Sequence, residues 1–284
     1  MPVFGLNLLL WRPALWSDPV LLDRLAELGY DGVEIPVDPA TPDRYQGLGD
    51  ALRRRGLRCT CTGRGIPGAH LVSSQTEERK AGLDRIERML DIAEDLGAEV
   101  LAGPLFRSPG FFTGGFPTPE EIARAANGLG KASDSASRRE ILLCPEILNR
   151  FESHLVNTVR QALDLARRID HPAYGIHYDT FHAHIEERSP AGAIQEAGPH
   201  IRHVHFAEND RGIPGTGQVD WRSTVSALHA IDYQGWIVAE GFALDEPMLM
   251  RSMHLWREVY PSQQIYAETA LPNMRRLWNE RGRI

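Results

Sequence analysis

The stretch TEERKAGLDRIERMLDIAEDLGAEVLAGPL, Thr76 to Leu105, decides the fold. Leu83, Ile86, Met89, Leu90, Ala93 and Leu96 fall on one stripe, with Glu, Arg and Asp elsewhere, so Thr76–Leu96 reads as an amphipathic helix. Gly97 supplies the residue that stops it. The short apolar run Glu99–Leu105 then reads as a buried strand. A helix that stops on glycine and passes into a buried strand is half of a strand–helix–strand unit.

The same alternation extends outward in both directions. Strands are expected at Val3–Leu10, Gly32–Val37, Leu57–Thr62, Glu99–Leu105, Glu140–Glu146, Ala173–Asp179, Ile201–Phe206 and Gly235–Gly241. Asp18-Pro19 and Thr118-Pro119-Glu120-Glu121 have the N-cap and first-turn proline of helix starts. Leu28-Gly29 repeats the stop at Leu96-Gly97. Alternating strands and helices imply a parallel sheet. Eight units in 284 residues fit closure into one (β/α)8 TIM barrel spanning 1–284 as a single domain. The rival is a doubly wound open sheet, which carries a Gly-rich phosphate turn after its first strand. Here that position reads LNLLLWRPALW, and the lone Gly215-Thr216-Gly217 means only a turn.

Composition argues against several function classes. Net charge is −7, against the basic face expected of a nucleic-acid binder. No apolar run reaches the roughly 18 residues of a membrane span. The opening MPVFGLNLLLWRP lacks a basic leader region, so a cytoplasmic protein without a signal peptide is expected. Cys59, Cys61 and Cys144 are too few for a disulfide framework. They read as small buried residues in a reducing compartment.

In a barrel of this kind the side chains at the carboxyl ends of strands face the active site. Strand five ends in Cys144-Pro145-Glu146, strand six in His177-Tyr178-Asp179, strand seven in His203-Val204-His205 and strand eight in Ala239-Glu240. Four adjacent strands thus place Glu146, Asp179, His205 and Glu240 at one rim. Three carboxylates so close repel one another unless a cation joins them. The mixed carboxylate–imidazole set suits one Mn²⁺, Co²⁺ or Mg²⁺ per chain better than a thiol-loving metal. His177 and His203 lie one layer deeper, either as supports for the ligands or as core histidines.

Glu146-Ile147-Leu148-Asn149-Arg150-Phe151-Glu152 resembles the ketose 3-epimerases, the D-tagatose/D-allulose 3-epimerase group of the xylose-isomerase-like barrels. Asp179-Thr180-Phe181-His182 fits, as do His205 to Arg211 with Gly215 to Trp221, Ala239-Glu240-Gly241 and the opening Gly5 to Trp11. The resemblance implies that Glu146, Asp179, His205 and Glu240 bind the metal, Mn²⁺ foremost. It implies that Glu146 and Glu240 also exchange the C3 proton, and that Glu152, His182 and Arg211 hold the O1–O2 end of the sugar. It further implies a free ketose as substrate and a homodimer or homotetramer, to whose interface Trp236, Trp256 and the 242–266 stretch would contribute. The segment Phe106–Pro117 and the loop Arg12–Trp16 depart from the family's pattern.

Three other functions compete. An aldose–ketose isomerase or a keto-polyol dehydratase would use similar enediolate chemistry on the same scaffold, but Asn149–Glu152 favours 3-epimerisation. A phosphodiesterase of the AP-endonuclease type would need several metals, more His ligands and a basic groove. A non-catalytic sugar-binding barrel has no use for both candidate bases.

Overall fold

The computed structural model describes residues 1–280; the end of the expected 1–284 domain, residues 281–284, lies outside them. The described residues form eight strands, β1 Val3–Asn7, β2 Gly32–Pro36, β3 Arg58–Thr62, β4 Val100–Gly103, β5 Leu142–Pro145, β6 Ile176–Asp179, β7 Ile201–Phe206 and β8 Trp236–Ala239. Between and after them run α1 Pro19–Leu28, α2 Leu48–Arg53, α3 Thr76–Leu96, α4 Pro119–Arg138, α5 Val159–Ile169, α6 Thr180–Glu186, α7 Pro190–Ala197, α8 Trp221–Ala230, α9 Pro247–Ser252 and α10 Gln263–Asn279. All ladders are parallel, in the order β5-β4-β3-β2-β1-β8-β7-β6. The parallel bridges Leu143↔Tyr174 and Glu146↔His177 join β5 to β6 and close the barrel.

The helix signals act as expected. Asp18 caps α1 through Val20 N, and Thr118 and Glu121 make a reciprocal capping box at α4. Gly29 and Gly97 end their helices in the left-handed region, at φ 87° and 71°. The first strand is shorter than its apolar run. Asn7 turns its side-chain oxygen onto Leu9 N, so Leu8–Leu10 winds into a 3-10 turn.

Side chains alternate between the helices and the lumen. Cys59 and Cys61 pack toward the helices, while Thr60 faces inward to Glu34. The amino end of the lumen is filled by Val100, Ala102, Cys144, Trp236 and Val238. Trp236 was expected at a subunit interface, but it is this floor. A Cβ at Gly5 would stand 3.1 Å from its ring, and one at Gly32 would stand 2.6 Å away. The two glycines make room for the indole, whose Nε1 donates to Glu99 at 3.1 Å. Glu99 is in turn held by both arms of Arg58. None of the described helices is long and apolar enough to cross a membrane.

Candidate active site

Glu146, Asp179, His205 and Glu240 are all buried at the carboxyl end of the barrel. One ligand atom from each of Glu146, Asp179 and His205 lies within 4.8 Å of the others. Glu240 joins through His205, whose Nδ1 is 3.4 Å from Glu240 Oε1 and 3.7 Å from Asp179 Oδ2. The other oxygen of Glu240 turns to Arg211 Nη1 at 2.6 Å. The four strand ends therefore converge, with Glu240 shared between the cluster and an arginine.

The geometry fits a divalent cation. His205 Nε2 stands 2.7 Å from Glu34 Oε1, which leaves Nδ1 facing the carboxylates. That Nδ1 is buried and has no hydrogen-bond partner among the described residues. Burial pushes the Glu146 carboxyl well above its ordinary range, and the charges of Glu240 and Asp179 add to it. Burial alone would raise Asp179 too, but contact with His205 and the charges of His182 and Arg211 hold it far below. Burial would lower His205, yet Glu34, Glu240 and Asp179 together drive it well above the usual imidazole value. A cation placed among these donors would displace protons and relieve the repulsion.

The expected sugar-end residues adjoin this cluster. His182 Nδ1 accepts from the backbone N–H of Asn149 at 3.0 Å, so its Nε2–H faces Glu146, 3.6 Å away. Asn149 also donates to Glu152 Oε1 at 3.2 Å. The specific Asn-x-x-Glu run thus ties two of these residues together. Arg211 is buried, and its guanidinium carbon lies 3.6 Å from the centre of the Phe181 ring. It pairs with Glu240, reaches Asp179 at 3.5 Å, and has Glu152 at 3.9 Å.

Two carboxylates escaped the sequence reading. Glu34 on β2 lies beneath the rim, fully buried. Glu208 begins the loop that carries Arg211. Its oxygens accept from Gly215 N at 2.8 Å, Val219 N at 3.3 Å and Trp221 Nε1 at 2.5 Å. A Cβ at Gly217 would stand 2.5 Å from Glu208 Oε2, so the glycines read as a turn are what let the loop wrap this carboxylate. The wrapped loop holds Arg211 at φ 63°, a strained value for a side chain of that size. In the 106–117 wall Arg107 is fully buried, its Nη1 2.5 Å from His154 Nδ1. His154 Nε2 continues to Glu121 at 3.2 Å, fastening this loop to the start of α4. A separate cavity of about 260 Å³, lined by residues such as Met1, His229 and Trp278, lies at the barrel's opposite end and holds none of the rim residues.

A closed parallel barrel with a carboxylate–imidazole rim at its carboxyl end defines a class, and the profile of the xylose isomerase-like TIM barrel family matches residues 22–259. The ketose 3-epimerase of Arthrobacter globiformis is 32% identical, over 86% of this chain and 84% of its own length. The probable ketose 3-epimerase of a Synechocystis strain is 28% identical over 97% of this chain and 96% of its own. The crystal structure of D-allulose 3-epimerase from a Methylomonas species, in complex with D-allulose, superposes with a TM-score of 0.89 at 26% identity, covering 97% of this chain and 96% of that one. The chain belongs to the ketose 3-epimerases of the xylose isomerase-like TIM barrel family.

Proposed function

We propose that this protein inverts C3 of a free ketohexose or ketopentose, with Glu146 and Glu240 as the two proton carriers. The observation that carries the reading is the placement of these carboxylates immediately after β5 and β8, either side of Asp179 and His205. Inversion needs a base on one face of the carbon and an acid on the other.

Glu146, Asp179, His205 and Glu240 would hold one divalent ion, with Mn²⁺ our choice and Co²⁺ or Mg²⁺ the alternatives. When bound, it supplies positive charge beside the enediolate oxygens. A gap of about ten pK units between the C3–H and a carboxylic acid would otherwise cost about 14 kcal/mol. The chain's own residues do the rest. Glu240, beside Arg211, is placed to act as the carboxylate that removes the C3 proton. Glu146, on the far side of Asp179 and His205, is placed to deliver one from the other face. The reverse reaction exchanges these roles. Glu152 accepts from sugar hydroxyls, while His182 Nε2–H and the Arg211 fork donate to the O1–O2 end.

The three cysteines are free and buried, which supports a reducing, cytoplasmic location. Trp256 and Met248, 72% and 81% exposed within the 242–266 stretch, support a homodimer or homotetramer. The deciding assay incubates free ketopentoses and ketohexoses with protein and Mn²⁺, with and without EDTA, and separates the products. C3 epimers that vanish with EDTA are expected. Aldoses as the main products would replace this reading with the isomerase one.

A further inference from the structure

Glu34 is a carboxylate enclosed within the barrel lumen. It is 0% exposed and sits mid-strand on β2, across the lumen from β7. Burying a carboxylate carries a desolvation cost, and an apolar residue would serve stability as well. Four side chains meet its two oxygens. Asn7 Nδ2 donates to Oε1 at 2.8 Å, and Thr60 Oγ1 donates to Oε2 at 3.1 Å, from the neighbouring strands β1 and β3. His205 Nε2 stands 2.7 Å from Oε1 and His203 Nε2 2.7 Å from Oε2.

We infer that Glu34 is a positioning residue for the metal centre: by holding Nε2–H of His205 it fixes that ring so that Nδ1 faces the cation. The inference rests on the proposed ligand role of His205. Turning the ring over would replace Nδ1 by a carbon and forfeit the Glu34 bond, so the buried carboxylate selects one orientation. His177 packs edge-on against His205, with ring centres 4.0 Å apart, and blocks rotation from the other side. The other oxygen of Glu34 lies 2.7 Å from His203 Nε2, a close contact without hydrogen-bond geometry that packs the carboxylate from its second side. Asn7 and Thr60 hold it against the wall from which it reaches. Ligand imidazoles behave this way generally, because the hydrogen bond on one nitrogen sets the tautomer and direction of the other.

His177, His203 and His205 also lie close enough together to hold an ion of their own. Glu34 decides between the readings, since it already takes the Nε2 of His205 and lies 2.7 Å from that of His203.

The test compares wild type with Glu34→Gln by calorimetric titration of Mn²⁺ into metal-free protein, with thermal melts alongside. A Gln side chain keeps the shape but loses the charge and one of the two acceptor oxygens. Affinity for Mn²⁺ is expected to fall about 10- to 100-fold, with one ion per chain in both proteins. Equal affinities in two folded proteins would overturn the inference, as would two ions per chain. Wild type binding no Mn²⁺ would sink the metal reading of the rim, and this inference with it. Wild-type protein loaded with diamagnetic Mg²⁺ gives a measurement that needs no variant. Nitrogen NMR should place the His205 proton on Nε2, and a proton on Nδ1 would refute the assignment.

Discussion

The two ends of the barrel lumen are built on opposite rules. At the amino end Trp236, Val238, Cys144, Val100 and Ala102 form an apolar plug. At the carboxyl end the same strands carry Glu240 and Glu146, joined by Asp179 and His205. Along β8 and the residue that follows it, the plug and the rim are Trp236 and Glu240. Along β5 and the residue that follows it, they are Cys144 and Glu146. The strand that stabilises the barrel below thus presents chemistry above, and between the two layers Glu34 anchors the histidines. The floor removes apolar surface from water and asks for close fit. The rim gathers like charges at a cost in stability that only function explains.

That contrast can be broken at either end. Glu146→Gln or Glu240→Gln should lower kcat about 10²- to 10⁴-fold while the melting temperature stays close to wild type. A variant that keeps full activity with metal bound removes that residue from the chemistry. Trp236→Ala should cost about 3 to 5 kcal/mol of stability, read by denaturant unfolding. Its activity per folded molecule should be near wild type, because the indole lies at the far end of the lumen. Gly32→Ala should cost about 1 to 3 kcal/mol. The new methyl would meet both Trp236 and the backbone carbonyl of Arg58.

The smallest effect concerns pH. Glu146 and His205 both have folded-state pKa values raised above their ordinary ones. In metal-free protein each favours folding at low pH, and that contribution fades as pH rises through the raised value. A cation must displace these protons, so Mn²⁺ affinity should rise with pH, by about tenfold per unit for each proton released. Titrations between pH 5.5 and 8 would show it, and a flat profile would mean that neither group gives up a proton to the ion.

Much of this was legible in the sequence. All eight strands and the rim residues follow from one rule, that a parallel barrel presents its strand ends at one face. Glu34 broke no spacing pattern and sits on an early strand, where attention to the late strand ends missed it. A glutamate inside the apolar run Gly-Val-Glu-Ile-Pro was nevertheless a signal. Trp236 was misread because a tryptophan near a strand start looks the same at a floor or an interface. What separates them is Gly5 and Gly32 on the two neighbouring strands, a relation set only by register. Arg211 owes its place to Glu208 and a wrapped loop, which no local propensity encodes.

Proton exchange at C3 between two carboxylates leaves an isotopic trace. Incubating a turned-over ketose with Mn²⁺-loaded protein in D₂O and following the sugar by proton NMR reads it. Deuterium is expected to enter C3 of the epimer while the C1 protons remain. Deuterium at C1, or epimer formed with its C3 proton intact, would contradict it.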